Sequence, residues 1–516
     1  MNSRLALLTG LLLPLTFAPL PFGFLAHLSL LPLFFGLYRK EAKTSFRWGF
    51  ASGIFFYLGL LYWINFLKVE GITLYLLPLG VLLLIFYLSL YTGVFCLILS
   101  LLQKRFGDFA YLLAPPLWTS LEFLRSLTYL GFPWGTLAYT QTSFIPFIQF
   151  ADTTGVPGVT FWVVSVNTAL FYLIRNSAWG IRMGIVRNRH SALRTWIILL
   201  LLFILPLLYG FWVLRRIPET PKILVAVAQL NVPPEIKLLQ SIEDRFDILH
   251  EVTLQVPKGG AQLMVWPETS VPGFPRYNEK IRQELGNLLK ESDIPILMGT
   301  TDYIQGEVYN SAMLVVPEEG ITQTYEKILL VPFGERFPFD DIIPALRKLE
   351  LGQGHYSIGK EKTVFQLRST KHETGSTEIL SPRFSTLICF ESVFPWLVRS
   401  FVHEGAEFLV NITDDSWFGK TSGPFQHAQM TIFRSIENRR ALVRCANTGV
   451  SMVVDPYGRV LKKTKIFTRK LLLERLPLRR DLTLYTRFGD LFAWLCVGVS
   501  LLGFSASAKS KLKRSR

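Results

Sequence analysis

Long apolar runs fill most of the first 216 residues of the chain and return once near its C-terminus. A helix needs about 20 apolar residues to cross the hydrocarbon core of a bilayer. Eight runs come near this length: residues 5–20, 23–38, 48–67, 74–101, 109–125, 156–174, 195–214 and 487–505. Only 18% of the 516 residues are charged, against about 25% in a soluble chain. The pattern predicts a multi-span α-helical membrane bundle with about eight transmembrane helices.

Glu122 lies inside one run, and we expect it to face the bundle interior because a lipid-exposed carboxylate is costly.

Lysine and arginine are concentrated in alternate connections between these runs. The basic connections and tail contain Arg39, Lys40, Lys43, Arg47, Lys104, Arg105, Arg175, Arg182, Arg187, Arg189, Arg194, Lys509, Lys511, Lys513, Arg514 and Arg516, whereas 126–154 has no Lys or Arg. Cytoplasmic loops carry the excess of positive charge, so both termini are predicted to be cytoplasmic and residues 217–485 extracytoplasmic. The net charge of +16 is therefore interpreted as setting topology, and no nucleic-acid partner is predicted.

The region between the last two apolar runs has the pattern of a separate α/β domain. Strands are predicted at 223–230, 262–266, 295–301, 309–316, 385–390, 407–412 and 450–455. Helices are predicted at 239–256, 278–291, 393–403 and 425–440. Such alternation is typical of a layered α/β domain. The chain is thus divided into a membrane bundle at 1–216, an α/β domain at 217–485, and a C-terminal membrane helix with a basic tail at 486–516.

Two segments of this domain contain candidate acid–base residues. Glu268 follows the predicted strand 262–266, at the end of the strand where functional residues gather in α/β sheets. It is a candidate general base, or a cap for the next helix. Lys327 precedes an apolar loop and can stabilise an oxyanion, or lie on the surface as a solvated lysine. Glu335 can pair with Lys327 or be one more surface acid.

Two further segments supply a candidate nucleophile and an aromatic pair. Cys389 ends an apolar strand before a predicted helix, and a helix N-terminus lowers the pKa of a thiol. A buried inert cysteine is the alternative. Glu391 can cap that helix or shape the site. Trp417 and Phe418 follow a polar turn; they can bind an acyl chain, or fold back on the core.

Together and in this order, the segments W-P-E-T, Y-x-K-x-x-L-V-P-F-G-E, C-F-E and N-x-T-D-D-S-W-F-G resemble the nitrilase (carbon–nitrogen hydrolase) superfamily. The accompanying membrane runs resemble its membrane branch, the apolipoprotein N-acyltransferases. The resemblance implies an αββα sandwich and a Glu268–Lys327–Cys389 triad. Glu335 and Glu391 would hold Lys327 and shape the pocket. Phe390 stands where many members of the family have tyrosine, which puts a role for that hydroxyl in doubt.

The resemblance also implies a reaction and its partners. Cys389 would take a fatty acyl chain from a phospholipid, phosphatidylethanolamine being the expected donor. The thioester would then be attacked by the N-terminal amine of a diacylglyceryl-cysteine apolipoprotein, at the outer face of the inner membrane. No cofactor is expected, and no metal, because the seven histidines are scattered and lack the close spacing of metal ligands.

Three other functional classes remain open from the residues alone, one of them a non-catalytic receptor-like module in which the triad would be dispensable. A membrane-bound amidase or nitrilase would use the same triad with water as the acceptor. A transporter-like protein with a non-catalytic domain would instead require polar groups in several membrane helices, and Glu122 is almost alone.

Overall fold

The computed structural model describes residues 2–68, 72–127, 130–176, 190–233, 241–343, 345–346, 355–367 and 381–514. The chain divides into two compact units. The first unit contains Met1–Asn65, Tyr75–Ile217 and Phe488–Arg516, and the second contains Phe66–Leu74 and Pro218–Arg487. Arg182, Arg187 and Arg189 of the predicted basic connections lie outside the described residues, as do the basic side chains of the tail.

The first unit is built from helices. They are α1 (Ala6–Leu12), α2 (Leu31–Leu37), α3 (Ala42–Leu61), α4 (Ile72–Phe106), α5 (Ala114–Arg125), α6 (Ala151–Asn176), α7 (His190–Arg215) and a C-terminal helix (Leu491–Arg514). In the described part of the chain, four helical stretches are long and apolar enough to cross a membrane: Ala42–Phe66, Leu74–Arg125, Ala151–Asn176 and Leu193–Arg215. Shorter apolar helices occupy Ser3–Thr16, Gly23–Leu37 and Leu491–Ser507. These stretches overlap the predicted runs, and the number of crossings stays a prediction.

Local sequence explains three features of this unit. A 3-10 turn at Gly107–Leu113 joins α4 to α5, so two predicted runs form one continuous stretch. Within α6, Gly155 has a φ of 66° and Pro157 follows, so the regular helix begins near residue 156, as predicted. Glu122 is buried, as expected, and accepts hydrogen bonds from the Trp118 indole (2.8 Å) and the Thr160 hydroxyl (2.7 Å).

The second unit contains two six-stranded sheets. The strands are β1 (Lys222–Gln229), β2 (Leu263–Val265), β3 (Ile296–Ile304), β4 (Glu307–Val316), β5 (Gly320–Glu326), β6 (Phe365–Gln366), β7 (Arg383–Ile388), β8 (Phe408–Thr413), β9 (Ala441–Ala446), β10 (Met452–Val454), β11 (Val460–Lys463) and β12 (Lys470–Pro477). The first sheet has the order β12-β1-β2-β3-β4-β5 and the second β11-β10-β9-β8-β7-β6. The central strands of each sheet, β1–β3 in the first and β7–β9 in the second, are parallel to one another. The strands that flank them, β12 and β4 in the first sheet and β6 and β10 in the second, are antiparallel to their central neighbours.

Helices cover the outer faces of both sheets. Helices α8 (Ile242–Thr253) and α9 (Glu279–Ser292) share one apolar core with β1, β2 and β3. Helices α10 (Pro395–His403) and α11 (Gly423–Asn438) pack on β7 and β9. The inner faces meet where Cys445 Sγ on β9 lies 3.3 Å from the Ala228 carbonyl oxygen on β1. The unit is therefore an αββα sandwich.

All seven predicted strands and all four predicted helices overlap observed elements, although residues 239 and 240 lie outside the described residues. Five strands were not predicted: β5, β6, β9, β11 and β12. Strand β9 is fully buried, but Arg444 interrupts its apolar pattern. The sequence of β12, KLLLERLP, has charges spaced as in an amphipathic helix. Strand β12 forms because it pairs with β1 over its whole length, a long-range interaction that a local pattern does not contain.

Candidate active site

Glu268 lies just beyond the C-terminal end of β2 and is almost completely buried, with 6% of its surface exposed. Its Oε1 accepts a hydrogen bond from Asn310 Nδ2 (2.8 Å), and its Oε2 accepts one from the Asp414 backbone N–H (2.8 Å). The alternative role as a helix cap is wrong, because Asn278 caps the next helix, α9. The carboxylate instead bridges Asn310 on β4 and the segment that follows β8.

Lys327 is the first residue after β5 and is fully buried, so it is not a solvated surface lysine. Its Nζ donates a hydrogen bond to Glu335 Oε1 at 2.8 Å and lies 3.6 Å from Glu268 Oε1. Burial alone would lower the pKa of Lys327, but the nearby carboxylates of Glu335 and Glu268 outweigh it and raise the pKa above its usual value. Lys327 is therefore a cation at neutral pH in this site.

Asn310, for which sequence patterns predicted no role, donates hydrogen bonds to the carboxylates of both Glu268 and Glu335. Asn310 Nδ2 on β4 donates to Glu268 Oε1 (2.8 Å) and Glu335 Oε1 (2.9 Å). Glu335 is also buried, and its Oε2 accepts the Val331 N–H at 2.8 Å. Burial raises the pKa of Glu268; Lys327 opposes that rise and Glu335 adds to it. A raised carboxylate pKa suits a group that must accept and return a proton.

Cys389 follows the last residue of β7 and begins a five-residue 3-10 helix, Cys389–Val393. Its φ is 52°, in the left-handed region that costs a non-glycine residue about 1–3 kcal/mol and is common at active sites. The thiol is partly exposed and interacts electrostatically with Glu268 and Lys327. The expected lowering of the thiol pKa is wrong. Burial and the negative charge of Glu268 raise the pKa of Cys389, while Lys327 only partly opposes them.

Glu391 connects the cysteine turn to the lysine loop. Its Oε2 accepts the Ile388 N–H at 2.7 Å, just before Cys389. Its Oε1 accepts a hydrogen bond from the Tyr325 hydroxyl (2.7 Å), which precedes Lys327 in the chain. The same oxygen accepts hydrogen bonds from the N–H groups of Ile328 (2.8 Å) and Leu329 (3.1 Å), which follow Lys327. One fully buried carboxylate therefore holds together the segments that carry the two candidate catalytic groups.

Trp417 and Phe418 lie in a 3-10 helix, Asp415–Phe418, that follows β8. Both are partly buried. The Phe418 ring packs edge-on against His427 with centroids 6.2 Å apart, so it folds back on the core. The Trp417 carbonyl accepts the Lys68 N–H at 3.3 Å. The two aromatic residues therefore have different environments.

Comparison with known proteins shows which family the chain is similar to. The model of the apolipoprotein N-acyltransferase N-terminal domain matches residues 9–169, and that of the carbon-nitrogen hydrolase family matches residues 224–480. An apolipoprotein N-acyltransferase of Geobacter metallireducens is 35% identical over 96% of this chain and 92% of its own length. One from Chlorobaculum tepidum is 32% identical over 96% of this chain and 94% of its own.

This chain belongs to the apolipoprotein N-acyltransferase family. It is accordingly a membrane acyltransferase with a nitrilase-like domain in its C-terminal half. A more distant apolipoprotein N-acyltransferase, from Treponema denticola, is 26% identical over 96% of this chain.

Phe390 and four further buried residues lie next to Cys389. The Phe390 ring packs against Phe394 with centroids 5.0 Å apart. Sequence patterns predicted no role for four others, which lie behind Cys389 and are at most 1% exposed: Asn411, Asp415, His427 and Arg444. Asn411 and Asp415 lie within the recognised N-x-T-D-D-S-W-F-G segment, but only the fold brings His427 and Arg444 to them.

Proposed function

We propose that the chain transfers a fatty acyl group from a phospholipid, through a Cys389 thioester, to the N-terminal amine of a diacylglyceryl-cysteine apolipoprotein. One observation carries the proposal: Glu268 and Lys327, from separate strands, form a buried pair whose charges act on the Cys389 thiol. Phosphatidylethanolamine is the proposed acyl donor. Family membership supports the acceptor, because the relatives are named for apolipoprotein N-acylation.

In the first half-reaction, Glu268 accepts the thiol proton as Cys389 Sγ forms a bond to the ester carbonyl carbon. The tetrahedral oxyanion is stabilised by Lys327, which stays protonated, and by the backbone N–H of Phe390. The C–O bond then breaks, and the proton passes from Glu268 to the leaving lysophospholipid. Preorganised donors of this kind are worth about 10²–10³ in rate each.

In the second half-reaction, the amine nitrogen attacks the thioester carbonyl and gives its proton to Glu268. The C–S bond breaks, and the proton returns from Glu268 to the Cys389 sulfur. The net exchange is ester plus amine to amide plus alcohol. A thioester divides one difficult exchange into two easier ones, and no cofactor is needed because the acyl donor is already activated as an ester.

The supporting residues have distinct roles in this scheme. Glu335 holds the Lys327 ammonium at 2.8 Å, and Glu391 fixes the backbone on both sides of the site. Trp417 and Phe418 are proposed to guide the acyl chain, because partly buried aromatic rings offer large apolar surfaces.

For the membrane arrangement, we propose eight crossings, with residues 1–216 and 486–516 in the inner membrane and 217–485 extracytoplasmic. Both termini are then cytoplasmic. The distribution of Lys and Arg supports this arrangement. A topology reporter fused after residue 220 should be active only in the extracytoplasmic compartment, and a cytoplasmic signal would contradict it.

Intact-mass spectrometry of the purified protein tests the reaction. Incubation with phosphatidylethanolamine should add one fatty-acyl mass to the wild type, released by hydroxylamine, and none to Cys389→Ala. A diacylglyceryl-cysteine peptide should then remove the adduct and gain the acyl mass itself. Release to water alone, with no acylated peptide, would favour the amidase alternative.

The matched control is Cys445→Ser. Cys445 is buried between the sheets, with Sγ 3.3 Å from the Ala228 carbonyl oxygen, and should not take part in acylation. This variant should form the adduct normally. If Cys445→Ser and Cys389→Ala lost the adduct equally, the assignment of the nucleophile would be wrong.

A further inference from the structure

A chain of buried polar groups ends on the carbonyl oxygen of Cys389. His427 Nε2, on α11, lies 3.2 Å from that oxygen. Asn411 Nδ2, on β8, donates to it at 3.4 Å, and Ser392 Oγ donates to it at 3.0 Å. Three side chains from separate segments therefore converge on one backbone atom of the nucleophile.

Arg444 lies at the centre of this network. Its Nη1 donates to Asn411 Oδ1 at 2.5 Å, and its Nη2 lies 3.0 Å from His427 Nδ1. Its charge is balanced by Asp415, whose Oδ2 accepts from Nη2 at 2.8 Å. All of these side chains are at most 1% exposed, so water does not compete for the bonds.

A carbonyl oxygen only accepts hydrogen bonds, so the His427 Nε2 that lies 3.2 Å from the Cys389 carbonyl oxygen must carry a proton. His427 Nδ1 lies 3.0 Å from both Arg444 Nη2 and Asp415 Oδ1, and these contacts hold the ring in place. A guanidinium group only donates hydrogen bonds, and this determines the orientation of Asn411. Because Arg444 occupies Asn411 Oδ1, the amide NH₂ group must face the carbonyls of Leu387 (3.0 Å) and Cys389.

The held carbonyl determines the direction of the next N–H. In a trans peptide the C=O and N–H groups point in opposite directions. Anchoring the Cys389 carbonyl on the protein side therefore turns the Phe390 N–H away from the network. The Phe390 N–H is also one of the first donors of the 3-10 helix, which have no acceptor within a helix. The left-handed φ of 52° at Cys389 requires this kind of external restraint.

The same contacts contain a Ser–His–Asp arrangement, but its burial excludes a second nucleophile. Ser392 Oγ lies 3.4 Å from His427 Nε2, and His427 Nδ1 lies 3.0 Å from Asp415 Oδ1. Ser392 is fully buried, and its hydroxyl donates to the Cys389 carbonyl. The arrangement therefore acts on the cysteine backbone and not on a substrate.

We propose that Arg444, acting through His427 and Asn411, is a positioning residue that holds the Cys389–Phe390 peptide so that the Phe390 N–H faces the reacting acyl oxygen. The inference rests on the proposed acyl-transfer function. It predicts that loss of the His427 donor weakens oxyanion stabilisation while the thiol itself stays reactive.

The first test compares His427→Leu with His427→Gln, whose amide can still donate to the carbonyl. His427→Leu should slow single-turnover acyl-enzyme formation by about 10²-fold, the effect of one lost oxyanion donor. His427→Gln should recover most of the rate. Alkylation of Cys389 by iodoacetamide needs no oxyanion stabilisation and should stay within about threefold of the wild type in both variants. The control His403→Leu, at an exposed position on α10, should change neither rate.

Unchanged acylation in folded His427→Leu would overturn the inference, and so would a parallel loss of acylation and alkylation. Nitrogen NMR of the wild-type protein labelled with ¹⁵N-histidine is a second test. It does not depend on enzymatic activity or on whether a variant folds. The wild type should show His427 protonated on Nε2. An Nε2 that carries no proton would overturn the inference. A wild type that fails to acylate would contradict only the proposed function, since the NMR result still decides this one.

Discussion

Lys327 Nζ lies 2.8 Å from Glu335 Oε1 in the buried site. Glu268 Oε1 is farther from the same ammonium, at 3.6 Å. The lysine is therefore held by the supporting carboxylate. In the proposed mechanism, Glu268 can then exchange a proton with the Cys389 thiol while Glu335 keeps Lys327 in place to stabilise the oxyanion.

Glu335→Gln should move the alkaline limb of the reaction to lower pH. Glu335 and Glu268 raise the pKa of Lys327 against the opposing effect of burial. Removing one of these charges lowers that pKa, so Lys327 loses its proton and its function at a lower pH. Loss of the charged hydrogen bond should also slow acyl-enzyme formation at neutral pH by about 10-fold or more. The measurement is the pH profile of acyl-enzyme formation. Glu319→Gln, at an exposed position, is the control, and an unshifted alkaline limb would contradict the role of Glu335.

Glu391→Gln should destabilise the catalytic domain more than Tyr325→Phe. The Glu391 carboxylate accepts four hydrogen bonds, and an amide has one acceptor oxygen and adds an unwanted donor. We expect a loss of about 3 kcal/mol in the free energy of unfolding for Glu391→Gln and about 1 kcal/mol for Tyr325→Phe. Denaturant unfolding in detergent compares them, and equal losses would show that the backbone contacts of Glu391 contribute little.

Asp415 should make the domain sensitive to strong acid. Burial opposes ionisation, but Arg444 and His427 lower the pKa of Asp415 from 3.8 to about 2. The folded state therefore gains stability above about pH 3.8 that is lost as the pH falls through about 2, amounting to about 2 kcal/mol. Asp415→Asn should be less stable at neutral pH, because the Arg444 charge loses its carboxylate partner. The stability of this variant should not show the additional loss between about pH 3.8 and about pH 2. Melting temperatures measured from pH 5 to pH 2 in both proteins test it; parallel curves would contradict it.

Trp417→Ala and Phe418→Ala should differ in their kinetic effects. Trp417 is partly exposed, so its loss should mainly raise the phospholipid concentration for half-maximal acylation, by about 10-fold. Phe418 packs against His427, so its loss should mainly lower the maximal rate. Single-turnover acylation over a range of phospholipid concentrations separates the two. A reversed pattern would exchange their proposed roles.

The candidate triad was accessible from sequence because each member lies in a short contiguous segment. Glu268, Lys327 and Cys389 each follow a strand, and their neighbours form patterns that can be compared between chains. Asn310 was not accessible in this way. It is one polar residue within a strand, and its role depends on β4 placing it between two carboxylates.

The pKa of Cys389 shows a limit of local reasoning. A helix N-terminus after a cysteine indicates a stabilised thiolate. In the structure the helix is a single 3-10 segment, and Glu268 lies close enough to raise the pKa instead. The pKa of Cys389 therefore depends on Glu268, a residue more than one hundred positions away in the chain.

Sequence alone determined the membrane-embedded character, the α/β domain and the family. Each apolar run and each motif at a strand end lies within a short contiguous segment, and together these segments identify the family. Tertiary structure alone decided how Cys389 is held. Asn411, His427 and Arg444 come from β8, α11 and β9, and although Asn411 opens a recognised segment, no local pattern indicates that the three meet behind Cys389. Their proposed role depends on contacts that a buried guanidinium makes with acceptors, and only the folded sheet brings those acceptors within hydrogen-bonding distance.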